Sequence, residues 1–407
     1  MARTGNDVIV IGAGIVGAAV AHFCAQAGLG VTVVDRGLPG GGTSSRCEGN
    51  ILVSDKEHGP ELDLAQYSLG IWQGELAEHG ALWEFERKGG IIVASLDSSM
   101  RSLRRVLDAQ RTHRIEVEEL DVAQLRELEP WTTPSAVGAA LYPGDSQIMP
   151  MKAVAHLLAM ARGRGARILP GREATGILRD GERVTGVRTA HGDLHADAVV
   201  NAAGPWAAHI AELAGVEVPI APRRGFVMVT EPMPPRVFHK VYAAEYIDAV
   251  GSSDGGLQTS PVIESSLAGT ILIGSSRERV GFDATVNREA LRLMAVAAAE
   301  LFPFLADVRV LRHYHGFRPY SPDHLPVIGP DPRAPGLWHA CGHEGAGIGL
   351  SVGTGRLIAQ ALTEPVDESP ERRTGIGPVG RTDLPLSAFA PERFDRTSGA
   401  DEEDLIP

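Results

Sequence analysis

The residues whose types and spacing could do chemistry begin at Gly12-Ala13-Gly14-Ile15-Val16-Gly17. A continuous apolar run, Val8-Ile9-Val10-Ile11, leads straight into them, and an alanine-rich stretch to Ala27 follows. A second apolar run, Val31–Val34, ends in Asp35-Arg36. A G-x-G-x-x-G turn between a buried strand and a helix is a phosphate cradle, because the helix N-terminus offers unpaired amides and a positive dipole end. In this pattern Gly12 allows the tight turn, Gly14 lets backbone approach a pyrophosphate, and Gly17 lets helix and strand pack closely. Asp35, at the end of the second strand, is placed to accept hydrogen bonds from a ribose diol. That favours an adenosine without a 2′-phosphate. The fingerprint marks a dinucleotide site; by itself it does not choose between NAD and FAD.

Three later segments bear on that choice. Gly40-Gly41-Gly42-Thr43-Ser44-Ser45-Arg46-Cys47-Glu48-Gly49-Asn50 follows the second strand, and its hydroxyls and glycines suit a loop along a pyrophosphate and then a ring. Val199-Val200-Asn201-Ala202-Ala203-Gly204-Pro205-Trp206 reads as a buried strand ending in a small-residue turn. Cys341-Gly342-His343-Glu344-Gly345-Ala346-Gly347-Ile348-Gly349 leads into a helix through Thr354 to Leu362, an entry whose amides can face an electron-rich oxygen.

With these segments in view, the sequence resembles the FAD-dependent D-amino-acid oxidase superfamily from Val8 to about Arg393. The most specific stretch is Gly316-Phe317-Arg318-Pro319-Tyr320-Ser321-Pro322-Asp323-His324-Leu325-Pro326-Val327-Ile328-Gly329, similar to that family's G-x-R-P-x-[ST]-x-D-x-x-P-x-I-G. Cys47–Ile51 and Gly342–Gly347 are most similar to the catalytic β-subunits of opine and hydroxyproline dehydrogenases and of hydrogen cyanide synthase. The resemblance implies FAD, and it implies Arg318 as the holder of a substrate carboxylate, for which a guanidinium fork is suited. It implies cofactor contacts at Gly12, Gly14, Ile15, Val16, Gly17, Asp35 and Arg36, then at Gly42, Thr43, Ser44, Cys47, Gly49 and Asn50. The remaining contacts it implies are Ala174, Ala203, Gly204, Trp206, Gly342, Gly345, Ala346, Gly347 and Ile348. Tyr246, with Tyr242 beside it, falls where relatives place a tyrosine over substrate; a tyrosine packed in the sheet is the alternative. His343 and Glu344 either face substrate or brace the flavin loop. Sarcosine oxidases tether flavin to a cysteine before the Asp of this motif; His313-Tyr314-His315 stands here instead, so FAD is expected to be non-covalent.

The elements that must position these groups imply an α/β fold: a discontinuous Rossmann-like FAD-binding domain with an inserted, mostly antiparallel β-sheet substrate domain. Residues 1–85, 151–215 and 316–393 are assigned to the first, and 86–150 and 216–315 to the second. The polar, acidic tail 394–407 is expected to be disordered. Strands are expected at Lys88–Ala94, Ala174–Leu178, Gly225–Thr230, Gly256–Thr259 and Thr270–Gly274. Helices are expected over Met100–Arg114 and Arg288–Leu301, with Asp121 capping a short one.

Composition sets outer bounds. Lys and Arg number 38 against 51 Asp and Glu, a net charge of −13 that disfavours nucleic acid and anionic lipid as partners. The apolar stretch Val8–Val34 is broken by five glycines, His22 and Gln26, so no transmembrane segment is expected, and the protein is read as cytoplasmic. Three scattered cysteines argue against disulfides, zinc or iron–sulfur ligation, so any electron relay would sit on a partner subunit or carrier. The clustered His313, His315 and His324 lack a carboxylate-supported geometry, and no metal is expected. The reaction implied is oxidation of a C–N bond in an amino or imino acid. Three readings stay open: an oxidase using oxygen, a dehydrogenase subunit passing electrons to a partner, and a flavin-binding subunit without turnover. An NAD enzyme would leave Gly342–Gly349 unexplained.

Overall fold

The computed structural model describes residues 7–56, 58–113, 115–244, 253–363 and 384–395. Tyr246 and all of the expected tail beyond residue 395 lie outside them.

Two sheets carry the molecule. The first has six strands in the order Val327–Pro330, Leu337–Cys341, Ala198–Asn201, Asp7–Ile11, Gly30–Asp35 and Arg167–Pro170. All its neighbours are parallel except the first pair. Parallel strands covered on both faces need apolar residues at every position, and Val8, Ile9, Val10 and Ile11 are all buried. The helices Ile15–Gln26 and Gly347–Thr363 pack against one another, and their residues join one core with Pro150–Gly163. Gly28, with φ +85°, turns the chain out of the first helix.

The second sheet has eight strands: Val310–Tyr320, Ala221–Thr230, Ile271–Arg277, Gln258–Ser265, Lys240–Ala243, Gly90–Ala94, Gly138–Tyr142 and Glu118–Leu120. It is antiparallel except where Lys240–Ala243 meets Gly90–Ala94. The helix Arg288–Leu301 is amphipathic and buries Ala290, Met294, Ala298 and Leu301 against this sheet. Asn287 caps it through two backbone amides. Asp121 caps Val122–Leu128 in a reciprocal box with Gln124. The strand Val310–Tyr320 runs through residue 316, where the sequence places a domain boundary, so Gly316–Tyr320 belongs to the eight-stranded sheet.

Candidate active site

A cavity of about 520 Å³ runs between the two sheets, within the usual size of a small-molecule site. One end is built by the glycine turn. Gly12 has φ +108°, and a Cβ there would stand 2.8 Å from the Ala202 carbonyl carbon, so only glycine fits between the two strand ends. A Cβ on Gly17 would press on the carbonyl of Gly12, which is how the helix comes to lie so close to the turn. The helix starts at Gly14 with no side-chain cap and no acid in its first turn, leaving its positive end toward the cavity. Ser44 Oγ accepts from the Ile15 amide at 2.9 Å. Thr43 donates its hydroxyl to the Phe317 carbonyl, tying the loop to the second sheet. Asp35 accepts from the amides of Ala13 and Gly37 at 2.7 Å each, which fixes its carboxylate at the cavity wall. Arg36 lies 4.0 Å over the Trp206 ring, which stacks on Phe282.

The other end is built by strands of the second sheet and by the entry to the helix Gly347–Thr363. Arg318 lines the cavity and donates from a terminal nitrogen to the Ser276 carbonyl at 2.8 Å. Its side chain passes close to Gly345: a Cβ there would lie 3.7 Å from Arg318 Nε. Room for the guanidinium comes from Gly225 on the neighbouring strand, where a Cβ would lie 2.8 Å from Arg318 Cζ. His343 is buried and shares a 2.9 Å hydrogen bond with the Thr354 hydroxyl, which itself donates to Leu350 O. Burial lowers its pKa to about 3, so it is neutral and acts as a brace for the loop. Glu344, at φ +44°, meets His324 Nδ1 at 2.9 Å and stands 3.7 Å from Arg223.

Most residues singled out from sequence meet in this cavity: Gly12, Gly14, Ile15, Val16, Asp35, Arg36, Gly42, Thr43, Ser44, Cys47, Asn50, Ala174, Ala203, Gly204, Trp206, Arg318, His343, Glu344 and Gly345–Ile348. Gly17, Gly49 and Gly342 stand behind the wall. A Cβ on Gly49 would lie 2.9 Å from the Ile148 carbonyl carbon, and one on Gly342 would lie 2.9 Å from Ile220 Cδ1, so both serve packing. Tyr242 is corrected: its ring is fully buried, and its hydroxyl donates to Asp145 at 2.7 Å inside the core. Tyr242 is not among the residues that line the cavity.

Among the lining residues not anticipated are three with buried charged side chains. Arg223 and Arg277 are both buried, and so is Glu48. Burial raises the Glu48 pKa, against the lowering effect of the Arg318 charge. The neighbours of Glu48, Cys47 and Gly49, drew attention in the sequence, but nothing there marked the intervening carboxyl.

Residues 7–361 match the family model described as FAD dependent oxidoreductase. The chain belongs to that family. It is 32% identical to the hydrogen cyanide synthase subunit HcnC of Pseudomonas aeruginosa, over 89% of this chain and 94% of that protein. It is 29% identical to the glycine oxidase of the same organism, over 92% of this chain and 99% of that protein. Among solved structures, glycine oxidase from Geobacillus kaustophilus superposes with a TM-score of 0.82 at 26% identity, covering 95% of this chain and 99% of that one. L-proline dehydrogenase from P. horikoshii shares the fold, with a TM-score of 0.84 at 24% identity over 97% and 98% of the two chains. The protein is thus an FAD-dependent oxidoreductase; its relatives include proteins named as glycine oxidase and as a subunit of glycerol-3-phosphate dehydrogenase, and some are named as subunits of larger enzymes. Its cavity suits FAD. The helix end at Gly14, with no acid in its first turn, meets the need of a pyrophosphate, and Asn50 presents a buried Oδ1 without a partner among the described residues. No helix among the described residues is long and apolar enough to cross a membrane.

Proposed function

We propose that this protein oxidises the C–N bond of an amino acid or a secondary amino acid. The observation that carries the reading is Arg318, whose guanidinium stands in the cavity beside Gly345 at the entry to the Gly347–Thr363 helix. In this reading Arg318 takes the substrate carboxylate through two parallel hydrogen bonds, and that grip sets the position of Cα. When bound, FAD supplies the acceptor for the hydride leaving Cα. Gly12, Gly14, Ser44, Asp35, Ala174, Asn50 and Gly345–Ile348 would hold it without a covalent tether. The amine binds unprotonated, so no side chain need act as a base, and His343 serves to fix the loop. The imine product hydrolyses in water to a keto acid.

The electron acceptor is either oxygen or a partner subunit. The 32% identity to a protein named as a synthase subunit supports the second. The cytoplasmic location belongs to the same proposal, supported by three free cysteines. The test is an anaerobic titration of the yellow holoprotein with D-, L-, N-methyl and cyclic amino acids, following flavin absorbance. Bleaching by one class names the substrate class, and readmitted air shows whether oxygen reoxidises the flavin. Arg318→Met should raise the half-saturating concentration at least tenfold; unchanged reduction would remove Arg318 from the reading.

A further inference from the structure

The strand that carries Arg223 lies between the strand of Arg318 and the strand of Arg277. Arg223 and Arg318 are direct cross-strand partners, and like charges placed directly opposite destabilise a sheet. Both line the cavity, and so does Arg277. The adjacent Arg224 shows how this sheet treats a structural arginine: it meets Glu278 at 2.9 Å and Asp283 at 2.8 Å. Arg223 donates to the Gln258 side-chain oxygen at 3.4 Å and to the Asp254 carbonyl at 3.5 Å, and the carboxylate it meets is Glu344, at 3.7 Å and already shared with His324. Burial lowers the pKa of Arg223 to about 10, and the charges of Arg277 and then Arg318 push the same way against Glu344. Guanidiniums brought together at a cavity wall are relieved by an anion that enters among them.

We propose that Arg223 and Arg277 form a second anion subsite, which takes a further carboxylate or phosphate of the substrate while Arg318 takes the first carboxylate. The inference rests on the amino-acid reading above and narrows it to substrates with two anionic groups. Its chemistry is that of paired charge-assisted hydrogen bonds, for which the planar guanidinium is the suitable donor.

The test uses the oxidised holoprotein and three non-reacting acids: butyrate, glutarate and 3-phosphonopropionate. Each is titrated while the flavin absorbance band is followed. Glutarate or 3-phosphonopropionate should bind about tenfold or more tightly than butyrate, and which of the two leads identifies carboxylate or phosphate as the second group. Arg277→Met should erase that preference and leave butyrate unchanged, Arg277→Lys should keep part of it, and Arg318→Met should weaken all three. Equal binding of the three acids, still dependent on Arg318, would overturn the second subsite and leave the amino-acid reading intact. If no acid perturbs the flavin and no amino acid bleaches it, both fall. The wild-type comparison decides between these outcomes even where a variant fails to fold.

Discussion

The replacement Gly225→Ala tests whether the place of Arg318 is set by a missing side chain on the strand beside it. An added Cβ would lie 2.8 Å from Arg318 Cζ, nearer still to one of its terminal nitrogens, and 2.5 Å from the Ser276 carbonyl oxygen. Ordinary contact begins near 3.4 Å, so the guanidinium carbon must retreat by about 0.6 Å and the nitrogen by more. The carbonyl that accepts from this guanidinium is crowded by the same methyl group, so the 2.8 Å bond between them is lost or lengthened. A misplacement of about 1 Å at a positioning group can cost on the order of 10²-fold in rate, equivalent to about 2.7 kcal/mol. The assay is anaerobic stopped-flow reduction of the flavin across substrate concentration. Rate over half-saturation should fall by about that factor. Overpacking should also cost about 1–3 kcal/mol of stability, so flavin content and urea unfolding must first show a folded, loaded variant. A loaded variant with the parent's rate and half-saturation would refute the argument that Gly225 makes room for Arg318.

Other perturbations have distinct signatures. Tyr242→Phe removes a donor to the buried Asp145, whose pKa burial raises to about 6; urea unfolding should show a loss of about 1–3 kcal/mol, with flavin reduction kinetics unchanged. Gly17→Ala sets a methyl group against the Gly12 backbone, with the carbonyl carbon at 3.0 Å; gel filtration should show released FAD, and full retention would count against the packing role. His22 is buried, and neither ring nitrogen has a hydrogen-bond partner among the described residues. Burial lowers its pKa from 6.5 to about 4. The unfolded chain therefore binds a proton that the native state refuses, and stability contributed above pH 6.5 is lost as pH falls toward 4. His22→Leu abolishes that linkage, so its stability relative to the parent should improve by about 2 kcal/mol from pH 8 to pH 5. A constant difference across that range would show that His22 does not titrate this way.

How much could be read from sequence depended on whether a residue's role was local. The glycine turn was legible because its constraints lie within one strand, one turn and one helix, so residue type and spacing carry them; Gly12 and Gly17 are each pinned by backbone at close range. The helix Arg288–Leu301 was legible for the same reason, its buried positions recurring at helical spacing. Residues whose role depends on which face of a strand they occupy were not. Tyr242 stands in an apolar run that alternation cannot orient, and the register places its hydroxyl on Asp145, about a hundred residues away in the chain. Arg223 and Arg224 are adjacent and chemically identical in sequence; the pleat sends one to the cavity and the other to Glu278. A one-residue slip would exchange them, burying the matched arginine at the cavity and leaving Arg223 against two carboxylates. The pairing of Ala221–Thr230 with Val310–Tyr320 is therefore what decides how many guanidiniums meet at the cavity, and it is fixed by the apolar alternation of Phe226 and Met228 into the core. The presence of Arg223 at the cavity wall is in that sense a consequence of core packing several residues away.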